Sequence, residues 1–332
     1  MTTLFEPPIL KTDPQVRRFE DVRQLLPDVE QPTPIVRLGR LAAARELYLK
    51  LEWLNPFGSI KDRTAAYMLS ELLPEMEGRR LIEASSGNTA LALAALANLE
   101  DIPVTVTIPD GAPIEKRVLL RMLGAEVLET PDDLCPVDLP ADGAIALARA
   151  IAGSRGGEAY AWTDQYSNRA NVRAHYETTG PEVWRQTQGQ VRAFVAGFGT
   201  CGTISGVGRF LKEQDPSIRI VAVEPNPGHR LPGLKSFAEA KQPEILDQSV
   251  IDQVVRIDDE TAYSTTLSLF RQEGLMVGPS TGAIVAASLA LDDPGLTVAI
   301  SPDSGFKYAS YFAQFLDDQQ QRKDEDARHP HP

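Results

Sequence analysis

Four short segments concentrate glycine, hydroxyl and amide side chains where they could do chemistry: NPFGSIKDR (55–63), EASSGNTA (83–90), AGFGTCGTISG (196–206) and GPSTGA (278–283). In the third, Gly197, Gly199 and Gly202 spell G-x-G-x-x-G, and Glu224 stands 22 residues after Gly202. That spacing fits a dinucleotide fingerprint. The rival reading is a cup for a single phosphate, in which the N–H groups of Gly199 to Thr203 and the hydroxyls of Thr200 and Thr203 surround one anion at a helix N-terminus, and the flanking hydroxyls of Thr200, Thr203 and Ser205 favour it. In the second segment Ser85, Ser86 and Thr89 offer hydroxyls, Gly87 lets the backbone approach and Asn88 supplies an amide. The group suits a carboxylate, and it also suits an ordinary helix cap. In the first segment Lys61 opens a helix, where the positive end of the macrodipole disfavours an ammonium and makes a nucleophilic amine. A solvated lysine beside Asp62 and Arg63 is the plainer alternative. One ligand would use all four segments, because it needs a phosphate cup, an amine, a carboxylate site and a polar contact to a ring. Pyridoxal 5′-phosphate with an amino-acid substrate is that ligand.

Such segments must be held at the ends of strands. Short β-rich runs, LYLKLEW (47–53), RLIEAS (80–85), VTVTIP (104–109), RAFVAGF (192–198), IRIVAVEP (218–225) and LTVAISPD (296–303), alternate with Ala/Leu-rich stretches such as TALALAALANL (89–99) and GAIALARAIAG (143–153). The alternation predicts an α/β fold with parallel sheets, whose ligands collect beyond the strand carboxyl ends. The Pro- and Asp-rich stretch 130–143 reads as a surface excursion, and the polar run that follows Leu316, DDQQQRKDEDARHPHP, as a disordered tail.

The chain has 332 residues, 42% hydrophobic and 24% charged, enough for two domains. Thirty-three basic against 46 acidic residues leave a net charge of −13, which argues against nucleic-acid and membrane partners. Two cysteines, Cys135 and Cys201, cannot build a multi-disulfide framework and fit a reducing compartment. The start lacks a basic region followed by an apolar run, and no stretch of about 18 apolar residues occurs, so the expectation is a cytoplasmic protein. With His329 and His331 in the final HPHP, only His175 and His229 remain for the body, and no metal site is expected.

The segments KLEWLNPFGSIKDR (50–63), EASSGNT (83–89), DQYSNRAN (164–171), GFGTCGTISG (197–206), GPSTGA (278–283) and PDSGFKY (302–308) together resemble the cysteine synthase and cystathionine β-synthase family of fold type II pyridoxal-phosphate enzymes, over residues 30 to 315. The resemblance implies a two-domain α/β fold like that of the tryptophan synthase β chain, with the cofactor in the interdomain cleft. It divides the chain into an arm (1–45) packed on the larger domain, a smaller mobile domain (46–155), a larger domain (156–315) and the tail (316–332). It further implies that Lys61 forms the internal aldimine and Asn88 contacts the cofactor's 3′-oxygen. Gly199, Thr200, Cys201, Gly202 and Thr203 then hold the phosphate, and Ser280 faces the pyridine nitrogen. Ser85, Ser86, Thr89 and Gln165 hold the substrate carboxylate. Cys201 stands where the family usually has Gly or Thr, Phe57 replaces a frequent Thr, and Tyr166 a frequent Phe. A homodimer is implied as well.

A neutral hydroxyl at the ring nitrogen does not keep it protonated, which favours loss of a β-leaving group over a long-lived carbanion. The expected reaction is β-replacement on an activated serine by a sulfur nucleophile to give L-cysteine, through an aminoacrylate, with Lys61 as general base. Water must be excluded, so the domain carrying EASSGNT is expected to close over the carboxylate. Formation of cystathionine or of a diamino acid are neighbouring alternatives, and the nucleophile could come from a sulfur-carrier protein. The donor is O-acetylserine or O-phosphoserine. The stretch EPNPGHRLPGLKS (224–236) resembles the O-phosphoserine-using branch of the family, which implies that Lys235, with Arg230 or His229, receives a donor phosphate, unless these are solvated bases on an acidic protein. An NAD-binding oxidoreductase built on Gly197, Gly199, Gly202 and Glu224 is the alternative of another class.

Overall fold

The computed structural model describes residues 18–76, 78–131, 143–154, 158–292 and 295–328. Cys135, most of the 130–143 stretch and the final HPHP lie outside them. The chain builds two sheets. The larger, in spatial order, consists of β1 (Ile35–Arg37), β2 (Leu47–Leu51), β10 (Thr297–Ser301), β7 (Ala193–Gly197), β8 (Arg219–Pro225) and β9 (Gln253–Ile257). All its neighbours run parallel except β1, which is antiparallel to β2. The smaller sheet is wholly parallel, in the order β5 (Glu126–Thr130), β4 (Val104–Pro109), β3 (Arg80–Ala84), β6 (Tyr160–Trp162). Every residue of β4 and β10 is buried, the pattern of parallel strands covered on both faces.

The helices divide between the sheets by composition. Helix α2 (Asn88–Asn98), NTALALAALAN, packs with α1 (Lys61–Leu72) over the smaller sheet in one core that includes Met68, Leu69, Leu93 and Val106. Helix α9 (Pro279–Ala290) is apolar nearly all round and lies in the core of the larger sheet with Leu49, Val195 and Ala299. A helix without a polar face has no stable place except such an interior.

The sheets do not divide at residues 46 and 155. Strand β2 pairs with β10 in the larger sheet, and β6 pairs with β3 in the smaller one. Both pairings join segments far apart in the chain, which local periodicity does not report. The arm also serves both bodies: β1 extends the larger sheet, while Leu26 packs into the smaller core and Arg23 pairs with Glu100 at 2.5 Å. Of the tail expected to be disordered (316–332), the described residues 316–328 instead belong to α10 (Ala309–Arg328). Its Gln, Lys, Arg, Glu and Ala residues are good helix formers, and the helix is already nucleated where Phe312 and Phe315 pack on the larger core.

Candidate active site

Lys61 is the first residue of α1, and its position is fixed from both sides. The Ile60 N–H donates to the Pro302 carbonyl at 2.8 Å, and Ser59 forms a bridge with Asp303 just beyond β10. Two residues on, Arg63 ties α1 to a buried ion cluster. Its guanidinium contacts Glu52 at 2.8 Å and Glu182 on α6 (Gly180–Gln186) at 2.5 Å, and Lys50 contacts Glu182 at 2.7 Å. Glu52, which also accepts from the Thr33 hydroxyl, is held down at about 2 by the Arg63 and Lys50 charges, against the opposing effect of burial. The Lys61 amine is held below its ordinary range chiefly by burial, with Asp303 and Cys201 opposing. The direction expected from the helix terminus is therefore right, and desolvation is the main cause.

Between β7 and α7 (Gly202–Gln214) the chain turns through Cys201, which adopts φ +67°, the left-handed region that favours glycine. Gly199, Thr200, Cys201 and Thr203 line a cleft together with Lys61, Ser280 and Asp303. This loop rests on side chains from α5 (Ala170–Ala174) and the turn after it. Asn171 donates to the Thr200 hydroxyl at 3.0 Å, and a Cβ on Gly202 would stand 2.0 Å from the Asn171 Oδ1. His175 Nε2 lies 3.2 Å from the Thr203 hydroxyl and 3.3 Å from that of Thr64. Burial pushes His175 down to about 3, so its ring is neutral. The Ser205 hydroxyl accepts from the Asp247 N–H on the far side of α7 and does not join the cup.

The cleft continues outward past Ser85, Ser86, Asn88, Thr89 and Gln165 to Tyr166 and Lys235, where it opens to solvent. The N-cap of α2 is Gly87, which has no side chain to cap the helix, and the Ser85 hydroxyl two residues earlier accepts from the Gly87 N–H at 3.0 Å and from the Ala90 N–H at 3.4 Å. Gly87 has φ +129°, and a Cβ there would meet Lys116 Cδ at 2.4 Å, so the loop crosses a buried lysine that only glycine permits. Thr89 donates to Gln165 Oε1 at 2.6 Å. Asn88 Nδ2 donates to Asp303 Oδ2 at 2.6 Å. Asp303 also accepts from the Tyr308 hydroxyl, which in turn accepts from Lys116 at 2.8 Å. Lys307 reaches Asn88 Oδ1 at 3.4 Å. Ser280, second in α9, lines the inner part and is buried. Lys235 is 8% exposed, with its ammonium 5.3 Å above the Tyr166 ring.

Lys61, Asn88, Ser280, the 199–203 loop and the 85–89 loop therefore surround one cleft. Arg230 and His229 do not line it: the Arg230 N–H donates to Asp259, and the His229 Nδ1 accepts from Leu231. Glu224, required by the dinucleotide alternative, accepts from the Phe237 N–H at 2.7 Å and from Arg256 at 3.0 Å. Seven residues were not singled out for these roles by sequence reasoning: Glu83, Lys116, Asn171, His175, Asp303, Lys307 and Tyr308. Asp303, Lys307 and Tyr308 stand in PDSGFKY and could have been found there; Lys116 has no local signal.

The donor set fits pyridoxal phosphate: a glycine and hydroxyl cup for a monophosphate, a buried primary amine, and a neutral hydroxyl and an amide for the ring. Asp303 Oδ1, buried in the same cleft, has no hydrogen-bond partner among the described residues and offers an acceptor to such a group. No cluster of three potential metal ligands occurs among the described residues.

Comparison with known proteins agrees with this geometry. Residues 26–300 match the family model described as pyridoxal-phosphate dependent enzyme. Cysteine synthase B of Salmonella typhimurium is 40% identical over 286 residues, 84% of this chain and 92% of the relative. Cysteine synthase A of Escherichia coli is 38% identical over 308 residues, 84% and 91% of the two chains. The crystal structure of O-ureido-L-serine synthase superposes with a TM-score of 0.78 at 32% identity, covering 88% of this chain and 94% of that one. A hydrogen sulfide-producing enzyme from Fusobacterium nucleatum gives 0.79 at 32% identity, covering 88% and 100%. The dinucleotide alternative is overturned by these matches. The cleft, its donors and the likeness along nearly the whole chain place this protein in the cysteine synthase family of fold type II pyridoxal-phosphate enzymes.

Proposed function

We propose that the protein is a cysteine synthase, replacing the β-substituent of an activated L-serine with a sulfur nucleophile to give L-cysteine. The observation that carries this reading is the meeting of Lys61, Ser280, the phosphate loop and the 85–89 loop on one cleft, in a chain 40% identical to a cysteine synthase B. Pyridoxal phosphate, when bound, supplies the carbonyl that captures the amine and the ring that accepts electrons from Cα. Gly199, Thr200, Cys201, Gly202 and Thr203 hold its phosphate, Asn88 its ring oxygen and Ser280 its ring nitrogen. Ser85, Ser86, Thr89 and Gln165 fix the substrate carboxylate. That anchoring sets the Cα–H beside Lys61. The Lys61 Nζ, whose affinity for a proton burial lowers, takes the Cα proton as the leaving group departs and returns it once sulfur has bonded to Cβ. The neutral Ser280 hydroxyl favours that departure over side reactions of a persistent carbanion. Closure of the 85–89 loop side over the carboxylate excludes water.

Within this reading Lys235 receives the leaving group, and a donor carrying phosphate is the one that would use its charge. The support is its place in the outer cleft, nearly buried above Tyr166. Homodimerisation and a cytoplasmic location are part of the same proposal, carried by the family; no described helix is long and apolar enough to cross a membrane. The test uses purified holoenzyme. It should show a visible absorption band that borohydride removes, and form L-cysteine, identified by mass spectrometry, from sulfide and O-acetylserine or O-phosphoserine. Lys61→Ala should lose at least about 10³-fold in turnover; full activity in that variant overturns the proposal. Lys235→Ala should lower the phosphoserine-to-acetylserine ratio about tenfold, and an unchanged ratio removes Lys235 from donor recognition.

A further inference from the structure

Gln165 has two amide hydrogens, and both are committed. Its Nε2 donates to Glu83 Oε1 at 2.9 Å and to the Ala84 carbonyl at 2.8 Å, while its Oε1 accepts from Thr89 at 2.6 Å. A substrate carboxylate that takes a hydrogen from Gln165 must displace one of these acceptors. The Ala84 carbonyl belongs to β3 and has nowhere to go, and a buried carbonyl stripped of its donor is costly. Glu83 is the acceptor that can change state.

Resting on the reading that Ser85, Ser86, Thr89 and Gln165 hold the substrate carboxylate, we propose that Glu83 is a positioning residue of that site, and that seating a carboxylate there draws a proton from solvent onto Glu83. The step forms one O–H bond on the Glu83 carboxyl at the expense of one proton from the buffer. With the proton on Oε2, the Glu83 Oε1 that faces Gln165 becomes a neutral carbonyl oxygen, a weaker acceptor than a carboxylate, and the Gln165 hydrogen passes to the charged substrate. The Thr163 hydroxyl, which donates to Glu83 Oε2, can turn to accept the new O–H.

The surroundings of Glu83 favour this exchange. It is 1% exposed. From the segment after β6 it is faced by the Thr163 hydroxyl, by Gln165 through both its side chain and its backbone N–H, and by the Asp164 carboxylate. The Asp164 charge disfavours a second anion. On the other side its partner in β4 is the apolar Val106, and the neighbouring Thr107 hydroxyl is turned to the Ala144 carbonyl. No lysine, arginine or histidine pairs with it among the described residues. Burial pushes the carboxyl up to about 8. A second carboxylate sharing the same amide raises it further, because like charges in one site cannot both ionise cheaply.

The test measures binding of propionate, a carboxylate without an amine, to the holoenzyme through the change in its cofactor absorbance between pH 6.5 and 9.5. In the wild type the dissociation constant should be level at the acid end and weaken by up to tenfold per pH unit above about 8, reaching roughly 30-fold at pH 9.5. Glu83→Gln, permanently neutral and of the same shape, should hold its acid-end affinity across the range. A level wild-type profile, or a slope that persists in Glu83→Gln, overturns the proposal. The wild type alone gives a second reading, since calorimetry at pH 8 in two buffers of different ionisation enthalpy should report net proton uptake with propionate, and zero uptake overturns it. Thr89→Ala separates the two levels of the argument. If it leaves propionate affinity unchanged, the carboxylate-site assignment itself falls, and the coupling with it. If it weakens binding about tenfold while Glu83→Gln keeps the slope, only the coupling falls.

Discussion

His175 shows how a single buried side chain serves the cup from behind. Its ring bridges the hydroxyls of Thr203 and Thr64 through Nε2 and meets Thr179 through Nδ1 at 3.0 Å, so it orients the loop without reaching the ligand side. Burial, reinforced by the Lys61 and Arg63 charges, pushes its pKa to about 3 from an ordinary 6.5. The unfolded chain therefore binds this proton first as pH falls. The stability that neutral His175 provides is complete above pH 6.5 and is lost progressively as pH falls toward 3. Between pH 6.5 and 5, before most carboxylates titrate, the loss amounts to about 1.6 kcal/mol from this residue alone. Urea unfolding of the wild type and of His175→Gln should show the wild type losing that much more over this interval. Parallel pH dependences in the two proteins would mean that the ring is not held neutral.

At the scale of elements, what could be read from the sequence and what could not separate by distance along the chain. That the 199–203 loop lines the cleft was legible because its three glycines, its hydroxyls and the strand before it are contiguous in 192–206, and backbone geometry there is set locally. The 85–89 loop and Lys61 were legible for the same reason. The Asn88–Asp303–Tyr308–Lys116 chain was not, since it joins α2, the segment after β10 and α3 (Ile114–Met122), which only the closed fold brings together. The membership of β2 escaped local reading on the same grounds. Arg63 was legible in the sequence only as a neighbour of Lys61, yet it is the tie that fixes α1 against α6 and the turn after β2. Two cations and two anions make this cluster neutral, and removing one cation leaves buried negative charge uncompensated. Arg63→Ala should therefore lower stability by about 3 to 5 kcal/mol in denaturant unfolding. It should also impair cofactor retention, because α1 carries Lys61. A loss below about 1 kcal/mol would show that Lys50 alone suffices to hold Glu52 and Glu182.

At the scale of the whole molecule, charge and ligand are opposed. The chain carries −13, while both the cofactor and the substrate carboxylate are anions. Close to the cleft the balance is different. Lys61 and Lys235 line it and Lys116 and Lys307 stand behind Asn88, against Asp303 in the lining, Glu83 behind Gln165 and Asp62 near Lys307. The near field attracts over a few ångströms and the far field repels over the whole surface. Salt separates the two, because the Debye length shrinks from about 30 Å at 0.01 M to about 10 Å at 0.1 M. The far field is screened first, whereas buried groups in the cleft are screened little. The rate at which apoenzyme takes up pyridoxal phosphate, followed by recovery of the visible band in stopped flow, should therefore rise a few-fold between 0.01 and 0.1 M inert salt. A steady fall over that range would mean instead that exposed bases at the cleft mouth steer the ligand. The same measurement on Lys235→Ala tests whether this nearly buried base at the outer wall contributes, against the neighbouring Arg149 and Lys241.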